Sequence, residues 1–205
     1  KSAQEECRKN YIEKLSAGSI IPAKVTHIEQ FGAFCDIGCG LVSLLPIDSM
    51  SVSRISHPKE RFENGQSIFA VVKTPCDENG RIMLSHRELL GTWEENVSHF
   101  SVGQTVAGIV RSIESYGIFI ELAPNLAGLA EIKENVKVGE RCAVYIKSII
   151  PEKMKIKLVI VDSHFSDSPQ KKTEYYISDE HMDFWQYSPE GCEKEVYTDF
   201  SDESL

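Results

Sequence analysis

Alternating polar and apolar positions recur along the chain in short runs, each about the length of one β-strand. The run IPAKVTHI at 21–28 alternates and is rich in β-branched residues, which is typical of a strand with one buried face. The runs AFCDI at 33–37 and GLVSLL at 40–45 follow, separated by a glycine-containing turn. Two more runs lie at 67–74 and 81–85, and the Asp-Glu-Asn-Gly sequence between them indicates a hairpin. This pattern predicts five strands in the first half of the chain.

The same series of strands returns in the second half. The sequence EQFGAF at 29–34 matches ESYGIF at 114–119, at an offset of 85 residues. Beyond the third strand the offset falls to 74, which aligns Lys73 with Lys147. The second copy is therefore 11 residues shorter, in the stretch after the third strand. Such internal similarity indicates a tandem repeat of one small domain.

Five short strands with a longer connection after the third are typical of a small closed barrel of the oligonucleotide-binding (OB) type. We therefore predict an all-β protein with two tandem five-stranded barrels, each preceded by a short helix, and a C-terminal β-hairpin extension. The predicted units are a helical segment at 1–16, a first barrel at 17–90, a linker helix at 91–101, a second barrel at 102–162 and the extension at 163–205.

The extension holds most of the negative charge. Of the formal net charge of −9, residues 164–205 carry −8 and residues 1–163 carry −1. Tyr175–Tyr176 and Phe184–Tyr187 flank a polar SDEHMD sequence, and they predict a hairpin of two aromatic strands. We expect this hairpin to dock on a barrel, with the second barrel favoured. The alternative is an acidic segment that mimics nucleic acid and covers a basic face.

Each copy carries an aromatic residue, a glycine, any residue and then phenylalanine: Phe31 with Phe34, and Tyr116 with Phe119. Residues three apart face opposite sides of a regular strand. We expect Gly32 to permit a bulge that brings both rings to the outer face. Two exposed rings would form a stacking platform for unpaired bases. The alternative is that one or both rings are core residues, and the repetition favours the platform.

Basic residues accompany both ring pairs. Lys73 and Arg81 lie on the fourth and fifth predicted strands of the first copy, and Lys147 and Lys155 lie at the matching positions of the second. The alternating lysines of 153–157 should share one face of the last strand. These side chains are candidates for contacts with phosphates, and an ordinary solvated strand face is the alternative.

Each copy resembles the RNA-binding domain named after ribosomal protein S1, a five-stranded OB-fold barrel. The resemblance covers 18–85 and 103–159, and its carriers are the G-x-V, aromatic-G-x-F and G-R-I-x-L-S elements. Residues 91–119 are also similar to S1-domain proteins of clostridial type bacteria. The resemblance implies binding of single-stranded RNA, with bases stacked on the two ring pairs.

The resemblance further implies an aspartate and an arginine four residues apart near the fifth strand, at Asp77 and Arg81. The second copy has Pro151 and Lys155 at these positions. A family histidine at the end of the third strand is absent from both copies, and Glu131 replaces it in the second. Since Glu131 should repel phosphate, we expect the second barrel to be the weaker RNA binder or an interaction module.

No pattern for catalysis is found. The histidines form no HExxH, and neither a glycine-rich phosphate loop nor a G-x-S-x-G is present. The carboxylates around His181 match no metal-binding loop and are interpreted as an acidic turn. The six cysteines form no CxxC pair, so reduced thiols are expected. We predict no enzymatic activity, no cofactor and no metal site.

We therefore predict a cytoplasmic protein without a membrane segment that binds single-stranded RNA, in translation or RNA metabolism. The ribosome is a candidate partner, and a monomer is the default expectation. The alternative is a protein-interaction module whose barrels have partly lost RNA binding. Because Lys1 aligns with His86, which follows the last strand of the first copy, another barrel is expected to have preceded Lys1.

Overall fold

The computed structural model describes residues 2–76, 80–163 and 173–201. Its first closed barrel has five strands, which are β1 (Ile20–Glu29), β2 (Gly32–Asp36), β3 (Val42–Pro46), β4 (Ser67–Thr74) and β5 (Ile82–Ser85). Neighbouring strands follow the order β1-β2-β3-β5-β4, and β1 pairs with β4 to close the barrel. All pairs are antiparallel except β3 with β5. The predicted strands of the first copy are confirmed.

The second copy forms a closed barrel of the same design. Its strands are β6 (Thr105–Glu114), β7 (Gly117–Ala123), β8 (Leu126–Ala130), β9 (Arg141–Ile150) and β10 (Lys155–Asp162). The order β10-β8-β7-β6-β9 repeats that of the first barrel, with β8 and β10 as the parallel pair. The predicted tandem arrangement of OB-fold barrels is therefore confirmed.

Alternating apolar side chains of the strands contribute to the core of each barrel. In β1, Ala23 and Val25 are buried while Lys24 and Thr26 are exposed. In β10, every second residue from Ile156 onward is buried up to position 160. A period of two sends successive side chains to opposite faces of a strand, so these faces form a separate core in each barrel. Each fully buried Leu or Ile contributes about 1.5–3 kcal/mol to that core.

Helix α1 (Ser2–Lys14) has no buried residue and is attached to the first barrel at the turn between β2 and β3. A disulfide joins Cys7 to Cys39, whose Cα atoms lie 6.1 Å apart, and Arg8 Nε donates to the Cys39 carbonyl at 3.1 Å. The expectation of reduced thiols is wrong for this pair because the turn carries Cys39 to the helix. Burial raises the pKa of the Cys35 thiol to about 12 and that of Cys142 to about 11.

Helix α2 (Trp93–Val97) leads into the second barrel, as predicted for the linker. Thr92 and Glu95 form a capping box: the Thr92 hydroxyl accepts from the Glu95 amide at 3.1 Å, and the Glu95 carboxylate accepts from the Thr92 amide at 3.0 Å. These bonds satisfy amide groups that the first turn of a helix leaves unpaired. The buried Trp93 side chain then packs into the core of the second barrel.

The connection between β3 and β4 joins the two barrels through a buried group of charges. Arg61 donates to both carboxylate oxygens of Glu121 in β7, at 3.0 and 2.5 Å, and Arg111 in β6 donates to Glu121 at 2.9 Å. The side chains of both arginines are 9% exposed and that of Glu121 is 4% exposed. Burial alone would raise the pKa of Glu121, but hydrogen bonds and charge from Arg61 and Arg111 outweigh it and lower that pKa. Glu121 is therefore ionised in the folded protein.

The part of this connection that the second copy lacks also contacts the second barrel. The Val52 amide donates to the Asn125 side chain at 2.9 Å, and the Ser53 amide donates to the Pro124 carbonyl at 3.1 Å. Asn125 is fully buried, and its amide nitrogen donates to the Gly91 carbonyl at 2.8 Å. The extra residues of the first copy therefore serve to link the barrels.

The C-terminal extension forms the predicted hairpin with different strands. Its strands are β11 (Phe184–Gln186) and β12 (Tyr197–Asp199). Tyr175–Tyr176 belongs to neither, so the prediction that it pairs with Phe184–Tyr187 is wrong. Trp185 and Tyr187 are buried in the core cluster of the second barrel, which confirms the expected docking.

Tyr175 instead holds the extension against the first barrel. The Phe69 amide donates to the Tyr175 hydroxyl at 3.3 Å, and the same hydroxyl lies 3.1 Å from His86 Nε2. His86 Nδ1 lies 2.9 Å from the Met50 carbonyl oxygen, which can only accept. Nδ1 therefore carries the proton, and Nε2 accepts from the Tyr175 hydroxyl. The neutral imidazole satisfies every polar group in this chain of hydrogen bonds.

Candidate nucleic-acid interface

The first ring pair lies where β1 turns into β2. Phe31 is in the turn and is 56% exposed, while Phe34 is half-buried in β2. The ring centroids are 5.9 Å apart with the planes at 87°, so the edge of one ring meets the face of the other. The structure thus brings these two predicted residues together at the surface of the first barrel.

The second ring pair repeats this geometry. Tyr116 lies in the turn between β6 and β7 and is 66% exposed, while Phe119 is half-buried in β7. Their centroids are 6.1 Å apart with the planes at 86°. Since neither turn residue is buried, the alternative that both rings of each pair are core residues is wrong.

The backbone reaches this arrangement without the predicted bulge at Gly32. Gly32 pairs regularly with Glu29, and the irregularity lies in the opposite strand, between Val25 and His27. Phe31 faces outward because it lies in the turn, where the alternation of a strand does not apply. The bulge prediction for Gly32 is therefore wrong, although the expected side-by-side rings are present.

The repeated glycine is required by a close approach of two strands. A Cβ atom at Gly32 would lie 2.5 Å from the Leu45 carbonyl oxygen, and one at Gly117 would lie 2.7 Å from the Ala130 carbonyl oxygen. Neither distance is compatible with an ordinary nonbonded contact. Glycine therefore sets the path of the chain directly after each exposed ring.

In the first barrel, the outer side chains next to the ring pair are apolar. Phe34 in β2 is opposite Leu44 in β3, and Leu44 is opposite Met83 in β5. All three are half-buried. Arg81 is exposed and directly precedes β5, two residues before Met83. It therefore lies at the beginning of the strand that places Met83 in the row of Phe34 and Leu44.

In the second barrel, a lysine occupies the corresponding place. Phe119 in β7 is opposite Leu129 in β8, and Leu129 is opposite Lys157 in β10. Lys157 is exposed, as is Lys155 two residues before it. The sequence predicted only that Lys157 shares a strand face with the other two alternating lysines. It could not place Lys157 beside Phe119, because β8 and β10 are not consecutive strands. The structure places it in the same row as Phe119.

Lys73 and Lys147 occupy equivalent irregular positions. Each is exposed, and each falls where the pairing register of its strand shifts by one residue, in β4 and β9 respectively. An extra residue at such a shift is left out of the regular ladder. The repeat therefore presents one lysine at the same structural position in both barrels. Asp77, the remaining predicted site residue, lies outside the described residues.

His27 adds a third ring to the first pair, which sequence reasoning missed. It lies opposite Phe34 in the β1–β2 register, with ring centroids 6.2 Å apart and planes at 22°. Its Nε2 atom lies 2.5 Å from a carboxylate oxygen of Glu29. The hairpin register alone predicts this neighbour of Phe34, and the corresponding residue of the second barrel is Ser112.

The expected source of repulsion at the second barrel is also present. Glu131 is exposed and directly follows β8, whose last residue, Ala130, is opposite Ile118 in β7. Glu131 therefore lies one position beyond β8. Lys157 lies opposite Leu129 of the same strand, so both charges are close to the row that contains Phe119. The second face thus gains a cation in addition to the carboxylate.

Within the ranges described, no three His, Cys, Asp or Glu side chains come together in a group suited to a metal ion. Among the residues with described positions, His181 Nδ1 is paired with the Asp183 carboxylate of the acidic turn, at 3.1 Å. Over the same ranges, no helix has both the length and the apolar character needed to cross a bilayer.

Two closed five-stranded barrels, each with an exposed aromatic pair beside basic side chains, define a protein with tandem OB-fold domains. Residues 14–87 match the family model described as "S1 RNA binding domain". The match covers the first barrel, so this part of the chain is similar to S1 RNA-binding domains.

Curated relatives include several bacterial ribosomal proteins. The chain is 29% identical to the small ribosomal subunit protein bS1 of Chlamydia muridarum, over 74% of this chain and 29% of that protein. It is 29% identical to the bS1 homolog of Bacillus subtilis, over 78% of this chain and 41% of that protein. The chain thus spans less than half of the length of these relatives.

A solved structure from Streptococcus pneumoniae, titled as a multidomain protein with nucleic acid binding domains, is also similar. The two are 15% identical with a TM-score of 0.33, over 77% of this chain and 57% of that one.

Proposed function

We propose that this chain binds single-stranded RNA without catalysing a reaction, by stacking bases on the ring pairs Phe31/Phe34 and Tyr116/Phe119. The observation that carries the proposal is the recurrence of an exposed edge-to-face ring pair at the same place in both barrels. Stacking of a base on an aromatic ring contributes about 1–3 kcal/mol and requires little sequence preference. The match of residues 14–87 to the S1 RNA-binding domain model supports the choice of RNA as the ligand.

In this proposal, basic side chains beside the rings contact the phosphates. Lys73 and Arg81 serve the first barrel, with Asp77 as a further site residue whose role comes from the family resemblance. Lys147 and Lys155 serve the second barrel. Lys157 joins them because it shares a row with Phe119. This added cation favours a second barrel that still binds RNA in spite of Glu131.

We further propose that the bound RNA belongs to translation, in the cytoplasm, with the ribosome as the site of action. The support is the similarity to proteins named as components of the small ribosomal subunit. A protein-interaction module remains the second candidate, and the exposed Glu131 favours it for the second barrel. Dependence on salt separates the two, because each phosphate contact to a single strand contributes about −0.7 to the slope of log K against log salt.

The test is a titration of the protein into a fluorescein-labelled single-stranded RNA, followed by fluorescence anisotropy at several salt concentrations. Removal of both rings in Phe31→Ala/Phe34→Ala should weaken binding by about 30-fold, which corresponds to about 2 kcal/mol. The matched control is Phe184→Ala/Tyr197→Ala, which removes two exposed rings outside the barrels and should leave RNA affinity unchanged. Equal affinity of the first variant and the unmodified protein would refute the stacking assignment for the first barrel.

A second pair of variants tests the phosphate contacts. Lys73→Gln/Arg81→Gln removes two cations and should reduce the magnitude of the salt slope by about 1.4. The corresponding change in the second barrel is Lys147→Gln/Lys155→Gln. A slope that is the same for the unmodified protein and both variants would contradict the assigned contacts and favour the interaction module.

A further inference from the structure

The C-terminal hairpin has one docked face and one exposed face. Trp185 on the docked face is 6% exposed and packs in the core cluster of the second barrel. Phe184 and Tyr197 on the other face are 51% and 55% exposed. Their ring centroids are 5.7 Å apart and their planes differ by 25°, so the rings lie nearly parallel. We call Phe184, Tyr197 and Asp199 the hairpin surface.

Docking of the hairpin does not account for these two rings. The alternation along β11 and β12 directs Trp185 and Thr198 inward and leaves their neighbours outside. Thr198 donates to Glu88 at 2.9 Å, so the inner face is complete without the outer rings. Two large exposed rings that lie side by side are typical of a surface that binds a partner.

The charge around the rings selects the kind of partner. Asp199 is opposite Phe184 in the register of the hairpin, and Asp183, with a side chain that is 81% exposed, precedes Phe184. The described part of the extension, 173–201, contains eight acidic residues and one lysine. Phosphate groups are repelled by such a surface, whereas cationic side chains are attracted to it.

We propose that the hairpin surface docks an arginine-containing basic segment of a protein partner. A guanidinium group is planar, so it can lie on the ring of Phe184 or Tyr197 while it donates to the Asp199 carboxylate. An ammonium group cannot stack in this way, so arginine is favoured over lysine. This surface is on a different element from the ring pairs of the barrels, and the proposal does not depend on RNA binding there.

The experiment measures binding of the full chain to a short fluorescein-labelled peptide of alternating arginine and glycine, by anisotropy at low salt. The same peptide with lysine in place of arginine is the matched probe. Binding of the arginine peptide should be about tenfold tighter than that of the lysine peptide. Phe184→Ala/Tyr197→Ala should weaken the arginine peptide by about tenfold and remove the difference between the two peptides.

Three further variants separate docking from loss of structure and from RNA binding. Tyr197→Phe keeps the ring and should keep the affinity for the arginine peptide. Asp199→Asn keeps an oxygen that can accept from the Ser201 amide, so it should weaken peptide binding only by loss of charge. Phe31→Ala/Phe34→Ala should leave peptide affinity unchanged. Equal affinities of the unmodified protein and the Phe184→Ala/Tyr197→Ala variant for the arginine peptide would overturn the proposal. A loss of RNA affinity in that variant would overturn it in favour of a nucleic-acid surface.

Discussion

Mild acid should destabilise this protein through His86, which lies at the junction of the first barrel and the C-terminal extension. Burial lowers the pKa of His86 to about 4 from the ordinary value of 6.5, against a smaller opposing effect of the Met50 carbonyl, and Arg61 lowers it further. The neutral ring accepts from the Tyr175 hydroxyl and donates to Met50. A protonated ring carries a hydrogen on both nitrogens, so its Nε2 atom could no longer accept a hydrogen bond from the Tyr175 hydroxyl.

The sign and the size of the effect follow from proton linkage. Because the pKa is lower in the folded state, the unfolded chain takes up the proton first, and stability falls as the pH decreases from 6.5 towards 4. Each unit of pKa difference corresponds to about 1.4 kcal/mol, so the full loss is about 3 kcal/mol. Between pH of about 7.5 and about 5.5, the loss from His86 alone should be about 1.4 kcal/mol.

Urea unfolding followed by circular dichroism over that pH interval provides the measurement. The interval lies above the ordinary pKa of a carboxyl group, so Glu121 stays ionised in both the folded and the unfolded chain. The comparison is with His86→Gln, which cannot titrate. The unmodified protein should lose about 1.4 kcal/mol more than the variant as the pH falls. Identical pH dependence of the two proteins would refute the assignment of a neutral, buried imidazole.

Three further outcomes are expected. Gly32→Ala should destabilise the first barrel by about 2–3 kcal/mol in urea unfolding, because its Cβ would lie 2.5 Å from the Leu45 carbonyl oxygen; an unchanged unfolding midpoint would contradict the close approach. Glu121→Gln should lower the free energy of unfolding by about 3–5 kcal/mol in the same assay, because it leaves two buried guanidinium groups without their carboxylate. Glu60→Gln changes a weaker partner, 3.8 Å from Arg111, and should cost less. Equal losses for the two variants would show that burial of the charges does not matter. His27→Ala should weaken RNA binding by about tenfold in the anisotropy titration because it removes the ring stacked beside Phe34, and unchanged affinity would exclude this ring from the site.

The strands and ring pairs could be predicted from the sequence because they depend on local alternation that occurs twice. The run that became β1 showed the period of two directly, and the internal repeat predicted β6 from it. The repeat also favoured exposure of Phe31/Phe34 and Tyr116/Phe119 over burial in the core. The rings lie together as predicted, although the route differs, since the turn and not Gly32 turns Phe31 outward.

Other features depend on contacts between distant residues that no local pattern shows. Arg61 and Glu121 are 60 positions apart, and neither lies in a recognisable motif. The sequence could not place Lys157 beside Phe119, because β8 and β10 pair in parallel without being consecutive. The hairpin was predicted with the wrong partner strand because Tyr175–Tyr176 has strand-like aromatic residues. Its actual contacts are with Phe69 of the first barrel and His99 of the linker.

The contact between Arg61 and Glu121 limits how the two proposed binding faces can move relative to each other. This buried contact is reinforced by Asn125, whose side chain is hydrogen-bonded to both Val52 and Gly91. Together these contacts remove most of the rotational freedom that a flexible linker would allow between the barrels. A ligand that reaches both faces therefore pays little additional entropy to orient the second one. The second face then meets the ligand at a high effective concentration, so the affinity for a ligand that reaches both faces exceeds the affinity of either face alone. A series of RNAs of increasing length would show this as an abrupt gain in affinity at the length that first spans both faces.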